Sequence, residues 1–304
     1  RQRAAFGARL SRHAGMRRSA PAIGWGLLAA AALAAAAGST LIQLGFAVVA
    51  IGVIGMAHGA SDLAVVARSR RAPFLALYAA VSLTCLLWWS LAPTVALPLF
   101  LLASAVHFAA EDPADIPWAY RSALGVGLIT IPAVFHAQDY GALLGYAAGI
   151  SIPAPIMLVL IVMGGCASIL LLIRTMRHRD TALPIMIAAL LILPPLVGFS
   201  LGFLVLHALP QTDARRRMMG CATYGAYLKV TGPILLAAIL LAGFVAMIFV
   251  RVEPSGVRAL FACIAALAMP HLLVTPLFSK GYSLDNAVVG TINRRGAAPG
   301  LIGQ

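Results

Sequence analysis

Residues 152–173 read IPAPIMLVLIVMGGCASILLLI and contain no charged side chain. A helix needs about 20 predominantly apolar residues to cross the hydrocarbon core of a bilayer, and this run reaches that length without interruption. Its apolar residues are continuous and do not alternate with polar ones, which favours a helical span over a strand of a membrane barrel. The run therefore predicts a transmembrane helix.

Further apolar runs of similar length, bounded by glycine, proline or charge, extend along the chain. They cover 22–38, 40–57, 73–91, 94–110, 120–137, 181–209, 229–250 and 258–278. Hydrophobic residues make up 62% of the 304 residues, charged residues 10%, and the mean hydropathy is +0.95. That composition excludes an ordinary soluble domain. We predict an all-α, polytopic transmembrane helical bundle of about eight to nine spans.

The chain divides into a basic N-terminal arm (1–21), a multi-span membrane domain (22–280) and a polar tail (281–304). Because an apolar run of full span length follows the arm, we interpret it as a retained signal anchor. The net charge of +13 comes from arginines in the arm and in short loops such as 68–71 and 174–179. This distribution follows the positive-inside rule and argues against nucleic-acid binding. It predicts a multi-pass protein of the cell membrane with a cytoplasmic N-terminus.

The run at 181–209 conflicts with this scheme. A single crossing would place the arginines at 215–217 outside, against the positive-inside rule. Pro194 and Pro195 interrupt the run, which is too short for two complete spans. A bent or re-entrant pair of half-helices would return the arginines to the inside, because irregular backbone is tolerated where protein buries it. We favour this second interpretation.

Four histidines lie inside or at the ends of apolar runs. They are His58 in GMAHGASD (55–62), His107 in SAVHFAAED (104–112), His207 in FLVLHALPQ (203–211) and His271 in AMPHLLV (268–274). An ionisable side chain in a membrane segment needs a partner or a function. If successive spans alternate in direction, His58 and His107 lie at the cytoplasmic ends of theirs. If the arginines at 215–217 are cytoplasmic, His207 joins them, and His271, about two to three helical turns from Lys280, can reach the same depth. His136 ends its run on the opposite side, so we expect it outside this group.

Polar residues follow three of these histidines by four positions: Asp62, Glu111 and Gln211. On a helix, positions i and i+4 share a face, so these side chains are candidates for further ligands or for acceptors that orient a metal-bound imidazole. The spacing predicts one metal ion held between helices. An imidazole set suits Fe, Zn, Cu or Ni, and the ligand type does not select among them. Hydrogen bonding between helices is the alternative role for each histidine.

The ordered motifs HGASD (58–62), VHFAAED (106–112), HAL (207–209) and MPHLLV (269–274) resemble those of the Brp/Blh family of membrane β-carotene 15,15′-dioxygenases, as does the stretch 121–136. The resemblance extends over about 58–274. It implies a multi-span enzyme in the lipid bilayer, with a histidine-bound non-haem Fe(2+), that uses O₂ to split the central double bond of β-carotene into two retinals. It also implies that His58, His107 and His207 are metal ligands, and that Asp62 and Glu111 are catalytic, with Asp62 orienting the site.

Two positions depart from the family pattern. Leu63 and Gln211 stand where the family usually has histidine. The fourth ligand is therefore Gln211 through its oxygen, or His271, or water. A diverged or inactive homologue and a metal or ion transporter remain alternative functions, because membrane histidines also mark ion pathways. We expect the carotenoid pocket to be lined by aromatic and apolar side chains. The candidates are Phe108, Trp118, Phe135, Phe203 and Met269.

Overall fold

A computed structural model describes residues 20–111, 116–178 and 182–278. Every regular element in these ranges is helical, which confirms the predicted all-α fold. The helices are α1 Ala20–Ala36, α2 Thr40–Val65, α3 Arg71–Leu91, α4 Pro93–Glu111, α5 Trp118–Thr130, α6 Pro132–Phe135, α7 Ala137–Ala148, α8 Ala154–His178, α9 Ala182–Ile192, α10 Pro195–Met218, α11 Tyr224–Val250 and α12 Val257–Phe278. The arm before residue 20 and the tail 281–304 lie outside the described residues.

Seven of the described helices are long and apolar enough to cross a membrane: α2, α4, α8, α10, α11, α12, and α3 together with the preceding turn from Arg68. The chain is thus a polytopic membrane protein, with slightly fewer full-length spans than predicted. The predicted span at 22–38 contains a shorter apolar helix, Gly26–Ala36. The predicted span at 120–137 is divided between α5 and α6, because Pro132 begins a new helix.

The run at 181–209 is broken at the predicted prolines. The α9 helix ends at Ile192 after 11 residues, and α10 begins at Pro195. The prediction of a half-helix is confirmed for α9 and wrong for α10, which continues through His207 to Met218 over 24 residues. A proline lacks the N–H that would continue a helix but is accommodated in the first turn, so the break falls before Pro195.

The α7 helix lies between the predicted spans 120–137 and 152–173, where the sequence predicted no span. Residues 137–148 are helical there. The hydroxyl of Tyr140 donates to the carbonyl oxygen of Ile129 at 2.7 Å and ties α7 to α5. Gly149, with φ of +75°, ends the helix in the left-handed conformation that glycine adopts without steric cost. This short helix owes its place to tertiary packing.

Close helix approach brings the ends of α2, α4, α10 and α12 together. A Cβ atom at Gly55 of α2 would lie 2.5 Å from the ring of Phe203 on α10, and one at Gly125 of α5 would overlap the carbonyl oxygen of Ala105 on α4. Small residues at such positions allow membrane helices to pack backbone against backbone. The α10 helix is the most enclosed of the seven spans, because 67% of its apolar 18-residue stretch is buried. His207 on this helix therefore lies in the interior of the bundle.

Candidate metal centre

Irregular helical turns hold two of the four histidines. His207 lies in a π-helical turn, Phe203–Ala208, within α10. His58 follows a π-helical segment, Val48–Ile54, and lies between two short 3₁₀ turns of α2. Departures of this kind within a helix are frequent at functional sites because they re-aim a side chain relative to its neighbours. His107 and His271 project from the regular helices α4 and α12.

The four imidazoles form a closed ring of side chains, which we call the histidine ring. Its neighbouring centroids are separated by 5.6 Å for His58 and His207, 5.3 Å for His207 and His107, 5.4 Å for His107 and His271, and 5.3 Å for His271 and His58. His58, His207 and His271 are buried, and the His107 side chain is 11% exposed. The structure therefore brings together the four histidines that the sequence placed at one depth.

The carboxylate of Glu111 lies against three members of the histidine ring. Its Oε2 atom is 3.4 Å from His107 Nε2 and 3.5 Å from His207 Nε2, and its Oε1 atom is 3.8 Å from His271 Nε2. These separations exceed those of ordinary hydrogen bonds. Ligand atoms of Glu111, His107 and His271 all lie within 4.8 Å of one another. Such convergence of unbonded nitrogen and oxygen atoms is the geometry of a cation site.

Polar atoms without partners concentrate at the same place. In residues 20–111, 116–178 and 182–278, the buried side-chain nitrogen and oxygen atoms that lack a hydrogen-bond partner are His58 Nδ1, Asp62 Oδ1, Glu111 Oε2, His207 Nε2 and His271 Nε2. An unsatisfied buried polar atom costs about 1–3 kcal/mol. All five atoms belong to the histidine ring or its flanking acids. A bound divalent cation would satisfy the lone pairs of the imidazoles and of Glu111, so the residues present fit a metal.

Asp62 contacts the Nδ1 side of His271, opposite the Nε2 atom that faces Glu111. Its Oδ2 atom accepts from His271 Nδ1 at 2.6 Å and from the hydroxyl of Thr275 at 2.8 Å. Its Oδ1 atom lies 3.8 Å from a guanidinium nitrogen of Arg215. The sequence placed Asp62 at the site but missed Arg215 and Thr275. The i+4 pattern extends to His271 and Thr275, so the spacing contained the signal for Thr275.

The amide nitrogen of Gln211 is not directed at the histidine ring. Gln211 donates from Nε2 to the backbone carbonyl oxygen of Glu111 at 3.2 Å. Arg121 donates to the preceding carbonyl oxygens, those of Ala109 at 2.7 Å and Ala110 at 2.8 Å. The last carbonyl groups of a helix have no partner within it, so these side chains cap the end of α4. Gln211 and Arg121 thereby fix the backbone that carries Glu111.

The remaining histidines lie elsewhere or are not described. His136, predicted to lie outside the group, has its Nε2 atom 3.1 Å from the carbonyl oxygen of Ile192 and contacts none of the four ring members. His13 lies outside the described residues, and the position of the His178 side chain is not described.

An apolar cavity of about 130 Å³ opens beside the histidine ring. All four ring histidines line it together with aromatic and aliphatic side chains, among them Phe100, Phe199, Phe203, Phe261 and Ile264. Phe108 and Phe203, predicted as lining residues, are found there. Trp118 and Phe135 are 56% and 69% exposed on the outside of the bundle, and Met269 does not line the cavity, so those three predictions are wrong.

Comparison with known proteins identifies the family of the chain. No curated protein and no solved structure matches the chain. The family model described as "Beta-carotene 15,15'-dioxygenase" matches residues 49–279, a segment that contains the whole histidine ring, Asp62, Glu111, Gln211 and Thr275. Since the match extends over most of the chain, the protein belongs to the β-carotene 15,15′-dioxygenase family.

Proposed function

We propose that this chain is a membrane-embedded non-haem iron oxygenase that cleaves the central double bond of β-carotene with O₂ and releases two molecules of retinal. The observation that carries the proposal is the position of the histidine ring at the wall of an apolar cavity, with the Glu111 carboxylate against three of the four imidazoles. Membership of the β-carotene 15,15′-dioxygenase family supplies the reaction class.

In this proposal His58, His107, His207 and His271 hold Fe(2+), and His271 takes the place that Gln211 has in the alternative ligand set. Two observations support that choice. His271 Nε2 is buried without a partner and lies 3.8 Å from Glu111 Oε1, and His271 lines the cavity with the other three histidines whereas Gln211 does not. Bound iron would supply the O₂ chemistry that protein side chains lack. The Glu111 carboxylate adds one negative charge next to the cation.

Asp62 sets the orientation and the tautomer of the proposed ligand His271. A carboxylate accepts hydrogen bonds only, so the 2.6 Å contact with Asp62 places the His271 proton on Nδ1. The lone pair of His271 Nε2 is then free, on the side of the imidazole that faces Glu111. Acids that hold a metal-bound histidine in this way fix its tautomer and raise its basicity. Asp62 is therefore proposed to position a ligand, and Glu111 to lie within the centre.

The apolar cavity suits a hydrocarbon substrate. Apart from the histidines, Ser104, Tyr78 and Tyr140, the residues that line it are apolar. A hydrocarbon that enters the cavity therefore exchanges contact with water or lipid for contact with apolar side chains. Ligand pockets usually measure about 300–1,000 Å³. A cavity of about 130 Å³ is smaller, so binding of a C40 carotenoid requires the surrounding helices to separate. An apolar wall also excludes water from the histidine ring.

The location follows from the same features. We propose a multi-pass protein of the cell membrane with its N-terminus in the cytoplasm. The arginines at 215–217 continue α10 beyond His207, so the site lies near the basic end of that helix. Under the positive-inside rule this is the cytoplasmic end. The partners are the carotenoid, O₂ and the lipid bilayer, and the proposal involves no nucleic acid.

The test is retinal formation in β-carotene-producing cells that express the chain, measured by chromatography with protein levels verified. The wild type and the control His136→Ala, whose imidazole lies outside the histidine ring, should both yield retinal. His58→Ala should yield none, and after purification it should contain less iron than the control. Intact carotene in cells that express the wild type, or retinal at the wild-type level from His58→Ala, would refute the proposal.

A further inference from the structure

We infer that Thr275 and Arg215 are positioning residues of the metal centre and that they act on His271 through Asp62. This inference rests on the proposed role of His271 as a metal ligand. It assigns two residues that neither the sequence motifs nor the family membership singles out. Together with Asp62 they form a polar cluster, which we call the Asp62 cluster, on the far side of His271 from Glu111.

The Asp62 carboxylate has three neighbours on two helices. His271 and Thr275 both donate to its Oδ2 atom, at 2.6 Å and 2.8 Å, and both come from α12. Because they are four positions apart, they lie one above the other on the helix face directed at Asp62. Arg215 of α10 approaches the other oxygen, Oδ1. Two hydrogen bonds to one oxygen and a cation beside the other fix the carboxylate plane.

Charge explains the need for Arg215. Asp62 is 2% exposed, and an isolated buried carboxylate is strongly disfavoured unless a cation or several donors compensate it. The separation of 3.8 Å is too long for a hydrogen bond, so Arg215 acts on Asp62 by its charge. The Arg215 side chain is 18% exposed, so it reaches the buried acid from the rim of the bundle.

Geometry explains the need for Thr275. In the orientation that the structure shows, His271 rests Nδ1 on Asp62 Oδ2 and turns Nε2 toward Glu111. The Thr275 hydroxyl holds that oxygen in place, and both side chains are buried, so water does not replace either donor. The cluster also joins the helices that carry His58, His207 and His271, because Asp62 follows His58 on α2 and Arg215 follows His207 on α10. Loss of either residue should loosen His271 and leave the other ligands in the structure.

The experiment measures metal affinity of the purified full chain in detergent, by Co²⁺ competition with a chelator, and records the ligand-field spectrum of the Co²⁺-loaded protein. Thr275→Val removes the hydroxyl at nearly constant volume, and Thr275→Ser retains it. Arg215→Met removes the charge, and Arg215→Lys retains it. Changes around a metal-bound histidine typically cost 10–100-fold in affinity, so we expect losses of about that size for Thr275→Val and Arg215→Met. Thr275→Ser and Arg215→Lys should remain within about threefold of the wild type, because each retains the hydroxyl or the charge that acts on Asp62.

The matched control is Thr130→Val. Thr130 is also buried, and its hydroxyl donates to the carbonyl oxygen of Val126 within its own helix, at 2.9 Å. This variant should bind Co²⁺ like the wild type and show an unchanged spectrum. Wild-type affinity and an unaltered spectrum in both Thr275→Val and Arg215→Met would overturn the inference. If Thr275→Val does not fold, the comparison of Arg215→Met with Arg215→Lys decides the question, because the Arg215 side chain lies at the rim of the bundle and its replacement perturbs the core less.

The outcome also separates this inference from the proposed function. A wild type that binds Co²⁺ and forms no retinal refutes the oxygenase proposal, while the order of affinities among the variants still tests the Asp62 cluster. A wild type that forms retinal, with variants that bind metal equally well, refutes only the positioning role. In an active enzyme, we expect Thr275→Val to lower kcat and leave the KM for carotenoid unchanged, because Thr275 does not line the cavity.

Discussion

Replacing Gln211 distinguishes a ligand from a residue that supports a ligand. In the structure Gln211 donates to the backbone oxygen of Glu111 and so holds the end of α4. Gln211→Leu keeps a side chain of similar bulk and removes both the donor and the amide oxygen. If Gln211 is a support, the variant retains all four imidazoles. If Gln211 is the fourth ligand, the variant loses one ligand.

The size of the effect follows from the lost hydrogen bond. An unsatisfied buried carbonyl costs about 1–3 kcal/mol, and each 1.4 kcal/mol corresponds to a factor of ten. If the whole cost appeared as misplacement of Glu111, metal affinity would fall about 5- to 150-fold. Arg121 still holds the carbonyls of Ala109 and Ala110, so most of the helix end stays in place. We therefore expect a loss near tenfold, at the lower part of that range.

The assay compares Gln211→Leu with His271→Leu by Co²⁺ affinity and by the ligand-field spectrum. Gln211→Leu should weaken binding and leave the spectrum unchanged, because the donor atoms around the metal are the same. His271→Leu should change both, since it removes an imidazole from the histidine ring. The opposite pattern would refute this account of the site: an altered spectrum in Gln211→Leu combined with a wild-type spectrum in His271→Leu would identify Gln211 as the ligand.

Three other substitutions test the cavity, the helix packing and the cap of α4. Ser104 lines the cavity, so Ser104→Phe should abolish most retinal formation while iron content stays at the wild-type level; unchanged retinal would place the substrate elsewhere. Gly125→Ala should lower the melting temperature, because its Cβ would overlap the backbone of α4 and overpacking costs about 1–3 kcal/mol. Gly165→Ala, which has open space around its Cβ, is the control, and equal melting temperatures for the two would contradict the packing argument. Arg121→Met should weaken Co²⁺ binding about as much as Gln211→Leu, since it frees two carbonyls of α4; wild-type affinity would show that the cap does not position Glu111.

The sequence predicted the parts of the fold that a bilayer imposes. A run such as 152–173 can be little other than a span, because the membrane leaves a helix as the only way to satisfy its backbone. The break before Pro195 was predictable for an equally local reason. The α7 helix was not, because Gln138, Asp139 and two glycines give it the composition of a link, and its stability comes from contacts such as that of Tyr140 with Ile129.

The candidate site was predictable in its members and not in their arrangement. Sequence alone placed His58, His107, His207 and His271 at one depth, since each lies near the predicted cytoplasmic end of an apolar run. It left Gln211 and His271 as alternatives because Gln211 stands where the family usually has a histidine, while His271 supplies a fourth imidazole near the same depth. The choice between them depends on where α12 packs, and no local pattern specifies that. The same packing decides that Asp62 contacts His271, 209 positions away, and not His58, which precedes it by four.

The α10 helix shows how a glutamine at 211 is compatible with the proposed set of four imidazole ligands. His207, Gln211 and Arg215 are spaced four apart and therefore share one face of the helix. Along that face the three side chains meet the Glu111 carboxylate, the Glu111 backbone and Asp62 in turn. A histidine at 211 could not donate to the same carbonyl with an amide, and it would compete with His271 for the fourth position. With His271 held in the ring by Asp62, position 211 is free to support Glu111, and glutamine has both the length and the donor for that role.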